Sequence, residues 1–244
     1  MRASALEVKI HWVARRIARA QREFGLFTAG DRVLVAFSGG KDSLALLHAL
    51  PAWARATGTP IEIGAVHVEI EGRPCRREAL AAMAAAANVP IHFTSFAPDA
   101  AGPGPDGRVT HPCFRCSRLR REALLRLAVA GGWTKVALGH HLDDDAATVL
   151  MNLLYRGRVE GLAPVRSYFD GKVVVVRPLI LAAEKELAAI GRLLGAAIAP
   201  CACSDGRPQP PSSSRERMKA VLDALGRDAL AAKRHLQRAG RGAR

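Results

Sequence analysis

Five short apolar runs alternate with helical stretches, and that alternation restricts the fold more than any other feature of the chain. The runs are RVLVAF (32–37), IEIGAVHVEI (61–70), IHFTSF (91–96), KVALGH (135–140) and KVVVVRPLI (172–180). They are short and rich in β-branched or aromatic residues, as strands are. The segments between them, among them DSLALLHAL, REALAAMAAAANV, SRLRREALLRLAVAGG, DAATVLMNLLYRG and AAEKELAAIGRLLG, have helical composition and length. Strands alternating with helices predict an α/β fold, doubly wound, with a mostly parallel sheet covered on both faces. In such sheets ligands bind at the carboxyl ends of the strands. An N-terminal helix precedes the pattern, with Leu6, Ile10, Val13, Ile17, Ala20 and Phe24 at helical spacing. Pro51 is expected to end or kink the helix after the first strand. RERMKAVLDALG is read as a last helix, followed by a basic tail.

Hydrophobic residues make up 49% of the 244, enough for a substantial core, yet no apolar stretch is long enough to span a membrane. The N-terminus is interrupted by arginines and is not a secretory leader. A cytoplasmic protein with no membrane partner is expected. The net charge of +14 implies a polyanionic partner, nucleic acid before a membrane surface. Cys75, Cys113, Cys116, Cys201 and Cys203 are an odd set in a chain of this kind. They argue against a disulfide framework and for a metal or redox role of the close pairs.

Three stretches carry chemistry. SGGKDS (38–43) joins the first strand to its helix. The amides of Gly39, Gly40, Lys41 and Asp42 can converge there on phosphate oxygens at the positive end of a helix. Ser38 and Ser43 add hydroxyls, Lys41 adds a charge, and the spacing is not that of a Walker A loop. LGHHLDDDAAT places His140, His141, Asp143, Asp144 and Asp145 at a second strand-to-helix junction. One or two of these acids suit helix capping; three beside two imidazoles exceed it, and a carboxylate near a nucleotide suits Mg²⁺. Cys113-x-x-Cys116 closes a long Pro/Gly loop, and Cys201-x-Cys203 follows far downstream. Four thiolates suit zinc; three suit a [4Fe–4S] cluster with one iron open. Cys75, at a helix start, reads as a bystander, with a low-pKa sulfur-relay thiol as the alternative.

SGGKDS resembles the PP-loop of the ATP-pyrophosphatase superfamily. Taken with CFRCSRLRR, LGHHLDDDAAT, NLLYRGRVEGLAP, RPL and PCAC in that order, the chain resembles the tRNA 2-thiocytidine synthetase family from its first helix to about Leu225. The resemblance implies an N-terminal basic helix (1–28), a PP-loop ATP-binding catalytic domain (29–200) and a C-terminal Cys-containing segment with helix and basic tail (201–244). It implies thiolation of C2 of a cytidine in the tRNA anticodon loop, position 32, with ATP, Mg²⁺ and a [4Fe–4S] cluster. By the same resemblance the nucleotide contacts Ala36, Phe37, Ser38, Gly39, Gly40, Lys41, Asp42, Ser43, His67, Gly139, His140 and Asp144. Lys41, Asp42 and Asp144 are then catalytic, and Thr148 supports Gly139, His140 and Asp144 where they face the nucleotide. The cluster falls on Cys113, Cys116 and either Cys201 or Cys203, with Cys201 favoured because it follows Pro200 as in the family pattern. The family motif has two residues between these cysteines, whereas here Ala202 stands alone between them. VHVEIEG replaces the family's Asn-x-Asp-type stretch, with Glu69 at the acid.

The expected tRNA contacts are Arg115, Arg118, Arg120, Arg121, Arg156 and Arg158, supplemented by the N-terminal helix and the tail. A sulfur donor such as a cysteine desulfurase is implied, and a homodimer with a joint basic surface is one assembly such a chain allows. The competing readings are a 2-thiouridine synthetase, a lysidine-synthetase-like ligase, and a non-catalytic metal-stabilised RNA-binding protein.

Overall fold

The computed structural model describes residues 4–97, 112–195 and 214–242. Its centre is a six-stranded sheet of order β3-β2-β1-β4-β6-β5. The strands are β1 (Arg32–Ala36), β2 (Glu62–Ile70), β3 (Ile91–Phe96), β4 (Lys135–Ala137), β5 (Val165–Tyr168) and β6 (Val173–Val176). All neighbours pair parallel except β5, which runs antiparallel to β6 at the edge. The sequence reading lacked β5, whose run VRSY has a single β-branched residue and no apolar stripe.

Both faces of the sheet are covered, which explains why the central strands read as unbroken apolar runs. In β1, Val33 and Val35 point into one core with Leu44, Leu47, Leu187 and Ile190. Leu34 points into the opposite core with Leu124, Leu125, Ala128 and Trp133. The first core is roofed by α1 (Ala5–Phe24), α2 (Lys41–Thr57), α3 (Arg77–Ala86) and α6 (Glu184–Leu193). The second is roofed by α4 (Pro112–Ala130). Helix α1 is apolar at Val13, Ile17 and Ala20 and capped by Ser4, which accepts from the Glu7 amide while the Glu7 carboxylate accepts from the Ser4 amide.

Two expectations are narrowed or changed. Of the end or kink expected at Pro51, the end is excluded, because α2 continues to Thr57; Leu50 and Trp53 are buried on either side of the proline. The basic tail is a helix, α8 (Ala229–Gly242), reached from α7 (Ser214–Asp223) through a single 3₁₀ turn (Gly226–Asp228). Both α7 and α8 pack on α5 (Leu142–Arg156), where Met218, Leu222 and Leu236 meet Ala146 and Ala147. The charge of α8 hid a buried stripe of Lys233, Gln237 and Gly240. Among the described residues no helix is long and apolar enough to cross a membrane.

Candidate active site

The chain leaves β1 toward β2 and β3 on one side, then returns to place β4 on the other. The crevice at the carboxyl ends of β1 and β4 is therefore the switch point of the sheet, where open α/β folds hold ligands. SGGKDS lies after β1 and LGHHLDDD after β4, so two distant motifs face each other across it.

The loop after β1 opens with Phe37, whose amide donates to the Val66 carbonyl (2.8 Å) and whose own carbonyl lies 2.8 Å from His67 Nδ1. Because that oxygen can only accept, Nδ1 of His67 carries the proton. Gly39 has φ +80, a left-handed conformation that favours glycine. Gly40 caps α2 with no side-chain hydrogen bond, so the first turn of the helix keeps its amides for a ligand. Ser38 and Ser43 hydroxyls meet at 3.1 Å, and Ser43 also donates to the Gly40 carbonyl. A Cβ on Gly139 would lie 3.2 Å from the Ser43 amide nitrogen and 3.3 Å from the Asp42 carbonyl carbon. Glycine at 139 is what lets the two junctions touch.

Lys41 Nζ sits 3.0 Å from Asp42 Oδ2 and 2.7 Å from Glu184 Oε1. Burial works against its charge, but Glu184 and Asp42 outweigh this and raise its pKa above an ordinary lysine's. Lys219 Nζ on α7 lies 2.8 Å from Asp144 Oδ1 and 3.6 Å from Glu184 Oε2. Burial opposes the ionisation of Asp144, yet the imidazole of His141 and the ammonium of Lys219 hold its carboxyl down at about 2. Glu184 is likewise held below the usual carboxylate range by Lys41 and Lys219 against the cost of burial.

The two histidines are set apart by their partners. His141 caps α5: its Nδ1 accepts from the Asp143 amide, which puts the neutral ring's proton on Nε2. That Nε2 is 3.3 Å from Asp144 Oδ2 and 3.8 Å from Asp42 Oδ2, yet it is buried without a hydrogen-bond partner, as is Asp42 Oδ1. Nδ1 of His140 accepts from Arg177 Nε at 3.2 Å. Arginine cannot accept, so the His140 proton is on Nε2 as well. Burial first, and then the Arg177 charge, push the His140 pKa down to about 3 despite Asp144. It is a neutral donor throughout the physiological range.

The three aspartates divide their roles. Asp143 accepts from Lys233 Nζ (2.5 Å) and from the Glu184 amide (2.7 Å). Asp145 accepts from the Leu162 amide (2.6 Å) and from Gln237 Nε2 (2.9 Å). Both tie the C-terminal helices and the α5–β5 connection to the junction. Asp144 alone turns toward Lys219 and the loop after β1.

Sequence reasoning missed Glu184, Arg177 and Lys219. For the first two a signal existed, because RPLILAAE runs across a third junction at the same sheet edge, from β6 to α6. Lys219 had none, since only packing of α7 on α5 brings it there. Of the expected cluster ligands, Cys116 is a half-buried thiol on α4, with Arg120 Nη2 3.8 Å from its sulfur. Cys113 falls within α4, but its side chain, Cys201 and Cys203 lie outside the described residues. Arg115, Arg118, Arg120 and Arg121 follow on α4; Arg156 ends α5, and Arg158 stands exposed just beyond.

A family model described as a PP-loop domain matches residues 10–197. A tRNA-cytidine(32) 2-sulfurtransferase of Anaeromyxobacter sp. (strain K) is 36% identical over 236 residues, covering 93% of this chain and 79% of its own length. The chain belongs to the PP-loop tRNA-cytidine(32) 2-sulfurtransferase family. A second family member, from Stenotrophomonas maltophilia, is 36% identical over 189 residues, covering 77% of this chain and 61% of its own. The fold is also that of the U34-tRNA thiolase NcsA from Methanococcus maripaludis, solved with its [4Fe–4S] cluster. That likeness has a TM-score of 0.71 at 22% identity and covers 97% of this chain and 80% of that one.

Proposed function

We propose that this protein is an ATP-dependent tRNA sulfurtransferase that replaces the C2 oxygen of cytidine 32 by sulfur. The observation that carries the reading is the facing pair of junctions: a helix start with unclaimed amides, and opposite it Asp144 among lysines, closed together through Gly139. Two buried polar atoms without partners, His141 Nε2 and Asp42 Oδ1, point to a ligand that completes the site. The triphosphate of ATP fits: amides of residues 39–42, the hydroxyls of Ser38 and Ser43, and Lys41 are donors for its oxygens. Mg²⁺ would be held by Asp144, with Asp42 and Glu184 within reach as further oxygen donors.

The cytosine C2 oxygen attacks the α-phosphorus, the bond to the bridging oxygen breaks, and pyrophosphate leaves. Lys41 and the α2 amides balance the charge on the departing pyrophosphate. Sulfide then attacks C2, and AMP leaves with the original oxygen. His140, fixed by Arg177 as a neutral Nε2–H donor, is suited to hold an oxygen or base edge without titrating. The cluster's ligands would be Cys113, Cys116 and Cys201 or Cys203; two cysteines three apart on one helix with a distant third suit it. When bound, it supplies an open iron for sulfide, delivered by a donor such as a cysteine desulfurase. The tRNA phosphates meet the arginines of α4, Arg156 and Arg158.

The test is reconstitution under anaerobic conditions with tRNA, Mg·ATP and sulfide. The reading expects 2-thiocytidine, AMP and pyrophosphate in equal amounts. Pyrophosphate release without any thionucleoside would move the reaction to a PP-loop ligase.

A further inference from the structure

The two C-terminal helices each send a lysine to the aspartates of α5, and the two differ in kind. Lys233 is sealed: its side chain and that of Asp143 are 8% and 7% exposed, and its ammonium is 2.5 Å from both Asp143 and Asp223. Lys219 keeps 24% exposure at the rim of the crevice. Its partner Glu184 is 33% exposed and holds Lys41, the PP-loop lysine, on its other oxygen. One carboxylate thus bridges two ammoniums, one from each end of the chain. A staple needs no access to solvent; a phosphate contact does.

We propose that Lys219 is a second nucleotide-binding lysine, whose ammonium moves from Asp144 and Glu184 onto the β- and γ-phosphate oxygens of ATP. This rests on the reading of the crevice as an ATP site. Charge balance supports it. Lys41 and Lys219 face Asp42, Asp144 and Glu184, so these five groups carry a net charge of −1 and would repel a polyphosphate. Binding becomes favourable when a divalent cation takes over the carboxylates and both ammoniums turn to phosphate. A lysine suits that exchange, with three donors on a flexible stem. Its charge is secure, because Asp144 and Glu184 raise its pKa against the effect of burial. Since α7 lies downstream of Cys201 and Cys203, the grip on ATP includes the segment that follows the cluster cysteines.

The experiment is calorimetric titration of Mg·ATP and of AMP into the full chain and its K219M and K219R variants, with thermal melts of each. Loss of a charge-assisted hydrogen bond weakens ATP binding ~10-fold or more in K219M. AMP affinity should stay close to the parent's, whatever fall in melting temperature follows from the lost Asp144 pair, and K219R should recover part of the ATP affinity. Unchanged ATP affinity in K219M overturns the proposal, as does equal loss of ATP and AMP affinity, which marks a structural staple. If the parent chain itself fails to bind ATP, the ATP-site reading fails instead.

Discussion

Replacing Lys233 by methionine tests how the C-terminal helices are held. Methionine keeps the length of the side chain and removes the charge. Asp143, only 5% exposed, then loses its partner at 2.5 Å and retains the Glu184 amide on its other oxygen. Removing one member of a buried ion pair costs about 3–5 kcal/mol. Asp223, with 63% of its side chain exposed, rehydrates freely, and the retained amide still serves Asp143, so the low end applies, about 3 kcal/mol. For a chain of this size that is a fall of roughly 6–12 °C in Tm. The assay is urea unfolding of the parent, K233M, D143N and D143N/K233M. Asparagine keeps an acceptor for the Glu184 amide, so the double variant leaves no buried charge and should be more stable than the two single losses predict, by about 2 kcal/mol. A K233M variant within about 1 kcal/mol of the parent, or a cycle with no coupling, would refute the reasoning.

Gly139→Ala sets a methyl against the backbone of Asp42 and Ser43 at 3.2–3.3 Å, which forces the two junctions apart. Isothermal titration should show ATP affinity down ~10-fold, with a stability loss of about 1–2 kcal/mol in urea. His140 titrates near 6.5 when unfolded and is pushed down to about 3 in the fold. The unfolded chain therefore binds the extra proton between those values, so stability is complete above about pH 6.5 and falls as pH drops toward 3. The slope should approach ~1.4 kcal/mol per pH unit between pH 5.5 and 4.5, and H140Q should flatten it. On α1, Arg15, Arg19 and Arg22 line a groove beside Trp12, with the Arg15 guanidinium 4.9 Å from its ring. Changing the three to glutamine should weaken tRNA binding and flatten its log–log salt dependence by about 2 in filter binding. An unchanged slope would take tRNA off this helix.

The sheet was legible because the central parallel strands are buried on both faces and each helix carries one apolar stripe; Val33, Leu34 and Val35 declare both cores at once. Strand β5 was not, since an edge strand needs no such run. Of the two outcomes a proline allows in a helix, an end or a kink, sequence alone does not choose, and at Pro51 the helix goes on, with Leu50 and Trp53 buried beside it. The tail misled because Lys233 and Gln237 are polar letters with buried partners, which appear only when α8 meets α5. In the site, the loop after β1 and Asp144 announce themselves through local motifs. Glu184 and Lys219 come from separate elements, and sequence distance conceals a contact that the β1/β4 switch point and the α5–α7 packing create.

The central claim is that the crevice at Lys41 drives thiolation of cytidine. Its most direct test is mass spectrometry of nucleosides from bulk tRNA of a strain lacking the gene, complemented with the parent chain or with K41A. The account predicts that 2-thiocytidine is lost on deletion, returns with the parent and stays absent with K41A, while other thionucleosides are unaffected. Retention of 2-thiocytidine in the deletion strain, or its full return with K41A, would contradict it.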